Sequence, residues 1–160
     1  MSLQAPIASD HQLARLLQIG VVLEEVVEAR SQKHARASDE PLDPAVAELL
    51  DHAASESAEH RQRLEGLVED LNADTVPFDE IETLVEAQYE TDEDFDGILY
   101  DQLCNEETAY KFYDDLIEAI ETSDVSFSID RERLLTVLRE IREEEAAGAE
   151  EVTELMEDHG

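Results

Sequence analysis

The sequence predicts an all-α protein, a four-helix bundle built from two antiparallel helix hairpins. In four long segments apolar residues recur at intervals of three and four, the spacing that keeps side chains on one face of a helix. None of the four prolines falls in the interior of a long segment, and no stretch alternates as a β-strand would. For 160 residues we expect a single domain that spans residues 1–160.

The first helix is predicted over about residues 9–36. Ser9 and Gln12 form a capping-box pattern, which satisfies free amide groups of the first turn. Glu24 interrupts the apolar seam, the row of positions that faces the core, and points inward more directly than its acidic neighbours. The seam consists of Leu13, Leu17, Gly20, Glu24, Val27, Ser31 and His34.

The second helix is predicted over about residues 44–72, with Asp43 as N-cap and Pro44 at its first position. Only a short loop precedes it, so the first two helices should be antiparallel neighbours. Ser57 and His60 break the seam at the helix centre. A buried histidine needs a partner, because an unpaired polar group in a core costs about 1–3 kcal/mol. The seam consists of Val46, Leu50, Ala53, Ser57, His60, Leu64, Leu67 and Leu71.

The third and fourth helices are predicted over about residues 95–121 and 129–157, with a short loop between them. The connection over residues 73–94 holds one short helix that starts at Pro77, and it is long enough to run the length of a bundle. Two hairpins joined by one such crossover form a recognised class of four-helix bundle. The third seam consists of Leu99, Leu103, Glu106, Tyr110, Tyr113, Ile117 and Ile120, and the fourth of Leu134, Leu138, Ile141, Glu145, Gly148, Val152 and Leu155.

Polar interruptions of the four seams fall at one height of the predicted bundle. Glu24 and Glu56 lie equally far from the loop of the first hairpin, and Glu106 and Glu145 lie equally far from the loop of the second. Carboxylates that meet an imidazole in a dry core either share protons or hold a cation. Oxygen ligands with the single imidazole of His60 suit iron, manganese or zinc.

This layout resembles the ferritin-like superfamily, and within it the rubrerythrin-like four-helix carboxylate proteins. In that family the first and third helices each provide one Glu, and the second and fourth each provide Glu-x-x-His. Here both Glu-x-x-His elements are incomplete, since one retains only its His and the other only its Glu. The matching residues are Glu24, His60, Glu106 and Glu145, and the replaced ones are Ser57 and Gly148.

The resemblance implies a first metal ion on Glu24, His60 and Glu145, and a second with only Glu106 and Glu145. Glu56, next to the lost ligand, would compensate through a rotated side chain. Iron is the implied metal, or manganese or zinc, with metal-centred oxidation as the activity and a homo-oligomer, a dimer or larger, as the assembly. The alternative is a metal-free bundle with a structural or interaction role, in which His60 hydrogen-bonds to one of these carboxylates.

The charge of the chain is strongly negative, with 43 acidic against 11 basic residues and a net charge of −32. Such a surface stays hydrated and has its self-repulsion screened in a salty cytoplasm, so we expect a halophilic source. The charge disfavours binding to nucleic acid or to an anionic membrane.

Cys104 is the only cysteine, which excludes an intramolecular disulfide. We find no signal peptide and no apolar run of membrane-spanning length, which predicts a cytoplasmic protein.

The segment from Asp92 to Gly97 resembles the start of an EF-hand calcium loop. The twelfth position of such a loop should be Glu and is Leu103 here. We therefore interpret these acidic residues not as a calcium site but as the first turn of the third helix, where they complement the helix dipole. Among the other histidines, we expect His34 and His52 to lie at the surface or rim.

Overall fold

The described part of the chain forms four α-helices, and the predicted all-α four-helix bundle is confirmed. The computed structural model describes residues 7–37, 42–73 and 97–159, and no strand occurs within these ranges. The short helix predicted from Pro77 and the acidic residues 92–96 lie outside them. The helices are α1 (Asp10–Ala37), α2 (Pro44–Asp70), α3 (Ile98–Glu121) and α4 (Arg131–His159).

The helices pack as two antiparallel hairpins, α1 with α2 and α3 with α4, and smaller contacts join α2 to α4 and α1 to α3. At one end of the bundle, the amide of Asn72 donates to Ser128 Oγ at 2.7 Å. At the other end, His34 near the end of α1 pairs with Asp101 in the first turn of α3. The chain therefore leaves α2 at one end of the bundle and enters α3 at the opposite end, as the predicted crossover requires.

The starts of α1 and α2 carry the predicted caps. Ser9 Oγ accepts from the amide of Gln12 at 3.2 Å, and Gln12 Oε1 accepts from the amide of Ala8 at 2.8 Å. Asp43 Oδ1 accepts from the amide of Ala45 at 2.9 Å. These side chains satisfy amide groups that have no partner within the helix.

The third helix starts later than predicted, and its predicted seam is correct from Tyr113 onward but not in its first half. The helix begins at Ile98, three residues after the predicted start, and Gly97 is the N-cap with a φ of 134° that favours glycine. Tyr110 is 39% exposed instead of lying on the seam. In this half the inward face is rotated toward polar residues, of which Asp101 and Gln102 have partners on α1. The buried polar residues of this face are Asp101, Gln102, Asn105 and Glu106.

The core is divided into an apolar half and a half in which buried polar side chains lie among apolar ones such as Leu50 and Val152. From the end where α1 begins up to the bundle centre, it is a continuous apolar cluster that includes Leu17, Leu64 and Leu138. Toward the other end, buried polar side chains pair between α1 and α3. Ser31 Oγ donates to Gln102 Oε1 at 2.9 Å, and Arg30 and His34 both pair with buried Asp101. His34, which was predicted to lie at the surface or rim, is 19% exposed and pairs with this carboxylate across the α1–α3 interface.

Candidate metal centre

Three side chains from three helices meet where the apolar half of the core ends. They are Glu24 of α1, His60 of α2 and Glu145 of α4, and none is more than 4% exposed. One potential ligand atom from each residue lies within 4.8 Å of the other two. The prediction that polar interruptions of different seams meet at one height is therefore confirmed for these three.

The distances inside this group fit coordination of one ion. His60 Nδ1 lies 3.0 Å from Glu145 Oε1 and 3.5 Å from Glu24 Oε1. Zinc and similar ions bind imidazole nitrogen and carboxylate oxygen at about 2.1 Å. Two such ligand atoms are about 3.0 Å apart at a right angle and about 3.4 Å apart at the tetrahedral angle. The spacing and the donor types both match a transition metal site.

Glu24 is held from the α3 side by Tyr113, whose hydroxyl donates to Glu24 Oε1 at 2.6 Å. Tyr113 is fully buried, so this bond fixes one carboxylate oxygen from inside the core. The other oxygen, Glu24 Oε2, is buried without a hydrogen-bond partner. A buried carboxylate oxygen without a donor is costly, and a bound cation would satisfy it.

Glu106 approaches the group from α3 but is turned toward α4. Gln102 Nε2 donates to Glu106 Oε1 at 3.0 Å. The Glu106 carboxylate lies against the backbone of Gly148, where a Cβ atom would be 2.7 Å from Glu106 Oε2. The absence of a side chain at Gly148 therefore makes room for a carboxylate. Glu106 lies beside the three-residue group but is not one of its members.

The acid–base state of the group follows from its burial. Burial, the charge of Glu24 and a hydrogen bond with Glu106 raise the pKa of Glu145 far above its usual range. Burial also raises the pKa of Glu106. Burial alone would lower the pKa of His60, but hydrogen bonding to Glu24, the Glu24 charge and hydrogen bonding to Glu144 outweigh it and raise that pKa to about 9. Without metal, the centre is thus an imidazolium among carboxyl groups that share protons.

Glu56 lies on α2 one turn before His60, nearer the surface than the other candidate residues. Its Oε2 is 3.3 Å from Nε2 of the exposed His52. Burial, only partly opposed by the charge of His60, raises the pKa of Glu56 to about 7. Glu56 does not belong to the group formed by Glu24, His60 and Glu145.

Glu144 belongs to the site and was missed by the sequence analysis. His60 Nε2, the ring nitrogen on the opposite edge from Nδ1, lies 2.7 Å from Glu144 Oε2. The seam predicted for α4 includes Glu145 and leaves out the residue before it. Glu144 contacts His60 because the imidazole lies between α2 and α4 with Nε2 directed toward Glu144. The apolar periodicity of a single helix does not predict this contact.

Comparison of the chain with protein-family models, with curated proteins and with solved structures found no match. None of the four described helices has an apolar stretch that would cross a bilayer.

Proposed function

We propose that this protein binds one divalent transition metal ion per chain in the centre of the bundle, with Glu24, His60 and Glu145 as ligands. The observation that carries the proposal is the convergence of these three buried side chains with ligand atoms within 4.8 Å. The unpartnered Oε2 of Glu24 supports it, since separate buried carboxylates without a cation or shared proton are unfavourable.

We propose iron as the natural metal, with manganese and zinc as the other fitting ions. The ligands are two carboxylates and one imidazole, a set that suits these metals. The resemblance of the residue pattern to ferritin-like and rubrerythrin-like proteins supports iron and an oxidation or iron-handling role. Bound iron would supply one-electron redox chemistry. In the protein, Tyr113 orients Glu24 and the apolar half of the core excludes water on one side.

We propose a single ion because a second position would lack ligands. Ser57 stands where the family has a glutamate, and Gly148 stands where it has a histidine. Glu106 and Glu145 would remain for a second ion, and two carboxylates do not make the three or four protein ligands typical of such sites. The space beside Gly148 is filled by the Glu106 carboxylate itself.

Elemental analysis of protein purified without chelator tests the proposal, with His60→Ala as the site variant and His52→Ala as its control. Both residues are on α2, but the side chain of His52 is 59% exposed. We expect up to about one metal ion per chain in the wild-type protein and the His52 variant, and a loss of metal in the His60 variant.

Stability provides a second measurement on the same variants. His60→Ala should lower the free energy of unfolding by about 3 kcal/mol, because it leaves buried Glu24 without its positively charged partner. Circular dichroism must show a folded helical protein before the loss of metal is interpreted. Wild-type protein that stays metal-free after reconstitution with Fe(II), Mn(II) and Zn(II) would contradict the proposal and leave the structural or interaction bundle as the function.

A further inference from the structure

We infer that Glu144 is a positioning residue of this centre: it holds the Nε2–H of His60 and thereby presents Nδ1 to the metal. The inference rests on the proposed metal binding and names a residue outside the three ligands. It also predicts which imidazole nitrogen coordinates the ion.

The two ring nitrogens of His60 have different surroundings. Nδ1 faces the core, at 3.0 Å from Glu145 Oε1 and 3.5 Å from Glu24 Oε1. Nε2 faces the other way, at 2.7 Å from Glu144 Oε2. A coordinating nitrogen must offer a lone pair, so the proton of a metal-bound neutral imidazole lies on the other nitrogen. An ionised carboxylate only accepts hydrogen bonds, so Glu144 stabilises the form with the proton on Nε2.

Glu144 is placed to orient the ring and not to bind the ion. Its side chain is 42% exposed, and Oε2 also lies 3.6 Å from Arg63 Nη1. Glu145, the next residue, turns about 100° further around α4 and reaches the core side of the ring. Consecutive residues of one helix thus contact opposite edges of His60, one as ligand and one as hydrogen-bond acceptor.

The carboxylate acts on the metal through the imidazole. A carboxylate that accepts the second N–H of a ligating histidine fixes the tautomer, limits ring rotation and makes the ligating nitrogen more basic. Removal of such a partner typically weakens metal binding about 10–100-fold. We therefore expect Glu144 to strengthen binding without contact with the ion.

The test compares Zn²⁺ binding to wild-type protein, Glu144→Gln, Glu144→Ala and the control Glu140→Gln. Glu140 lies one turn earlier on α4, is paired with Arg63 and is 56% exposed, but it does not contact His60. Each Gln variant removes one negative charge from the same surface, so the comparison cancels the general electrostatic effect. We expect about tenfold weaker binding for Glu144→Gln, a larger loss for Glu144→Ala, and a change of less than about twofold for Glu140→Gln.

Nitrogen-15 NMR of the zinc-loaded protein provides a measurement that a purely structural role would not change. We expect zinc on Nδ1 of His60 and a slowly exchanging proton on Nε2, and faster exchange of that proton in Glu144→Ala. Zinc on Nε2, or equal affinities of Glu144→Gln and Glu140→Gln, would overturn the inference while leaving metal binding intact. Absence of zinc binding in wild-type protein and in Glu140→Gln would overturn the proposed function and this inference with it.

Discussion

The charge state of His60 links the centre to the pH of the solution. Its pKa is raised to about 9 from 6.5, and that of Glu56 is raised to about 7 from 4.5. The pKa of Glu145 is raised as well. In each case the native protein binds a proton more tightly than the unfolded chain does. The metal-free fold is therefore stabilised by protons that metal binding would have to displace.

Stability of the metal-free protein should fall as pH rises. Above pH 4.5, Glu145 holds a proton in the native state that the unfolded chain has released, and Glu56 does so up to about pH 7. The contribution of His60 is complete below pH 6.5 and is lost as pH rises through about 9. The free energy of unfolding decreases with pH wherever the native state binds more protons. Urea unfolding at pH 6 and pH 9, with chelator and molar KCl, measures the difference.

The variant His60→Gln isolates the histidine contribution, since glutamine does not titrate. Its loss of stability between pH 6.5 and pH 9 should be smaller than that of the wild-type protein. A wild-type protein that is equally stable or more stable at pH 9 would contradict the proton-sharing description of the metal-free centre.

At the scale of helices, the close approach of Glu106 to Gly148 joins α3 to α4 beside the centre. A Cβ at position 148 would meet three atoms of the Glu106 carboxylate at 2.7–3.0 Å. The contact is with the end of a flexible side chain, so the carboxylate can move. Such a movement would break its hydrogen bond with Gln102 Nε2. A histidine introduced at position 148 would likewise have to displace Glu106 first.

A double-mutant cycle measures this coupling. Alanine in a helix interior is about 1 kcal/mol more favourable than glycine, so Gly148→Ala should stabilise the protein by about that amount in a Glu106→Ala background. In the wild-type background most of this gain should be lost, because the new methyl group displaces the carboxylate. We expect a coupling free energy of about 0.5–1 kcal/mol from urea unfolding.

Gly66→Ala is the matched control, because a Cβ there has no heavy atom within 4 Å. It should have the same effect in both backgrounds. Equal effects of Gly148→Ala with and without Glu106 would show that the carboxylate does not occupy the space beside Gly148.

The whole molecule carries a net charge of −32, and its stability should depend on salt. Self-repulsion among acidic side chains is screened over about 10 Å at 0.1 M salt and over about 3 Å at 1 M. We expect a higher melting temperature in molar KCl than in dilute buffer. Thermal melts followed by circular dichroism measure the change, with sucrose at matched viscosity as a non-ionic control. A melting temperature that does not rise with KCl would contradict this prediction.

The halophilic source, the cytoplasmic location and the homo-oligomer stay predictions.

Apolar periodicity and capping residues were enough to predict the four helices and the height at which they are polar. Periodic apolar residues specify which face of a helix is buried, and caps such as Ser9 and Asp43 specify where a helix begins. For this reason Glu24, His60 and Glu145 could be predicted to meet from the positions of seam interruptions alone. The predicted start of α3 was less accurate, because the φ angle of Gly97 determines where this helix begins.

The arrangement of the side chains at that height depends on how the helices pack against one another, and no single helix pattern predicts it. The rotation of α3 buries Asp101 and Gln102 and exposes Tyr110, because the partners of the polar residues lie on α1, far away in sequence. The same long-range packing turns Glu106 toward Gly148 and places Glu144 beside His60. Helical periodicity describes one helix at a time, whereas hydrogen bonds across the core depend on the rotation and height of two helices together.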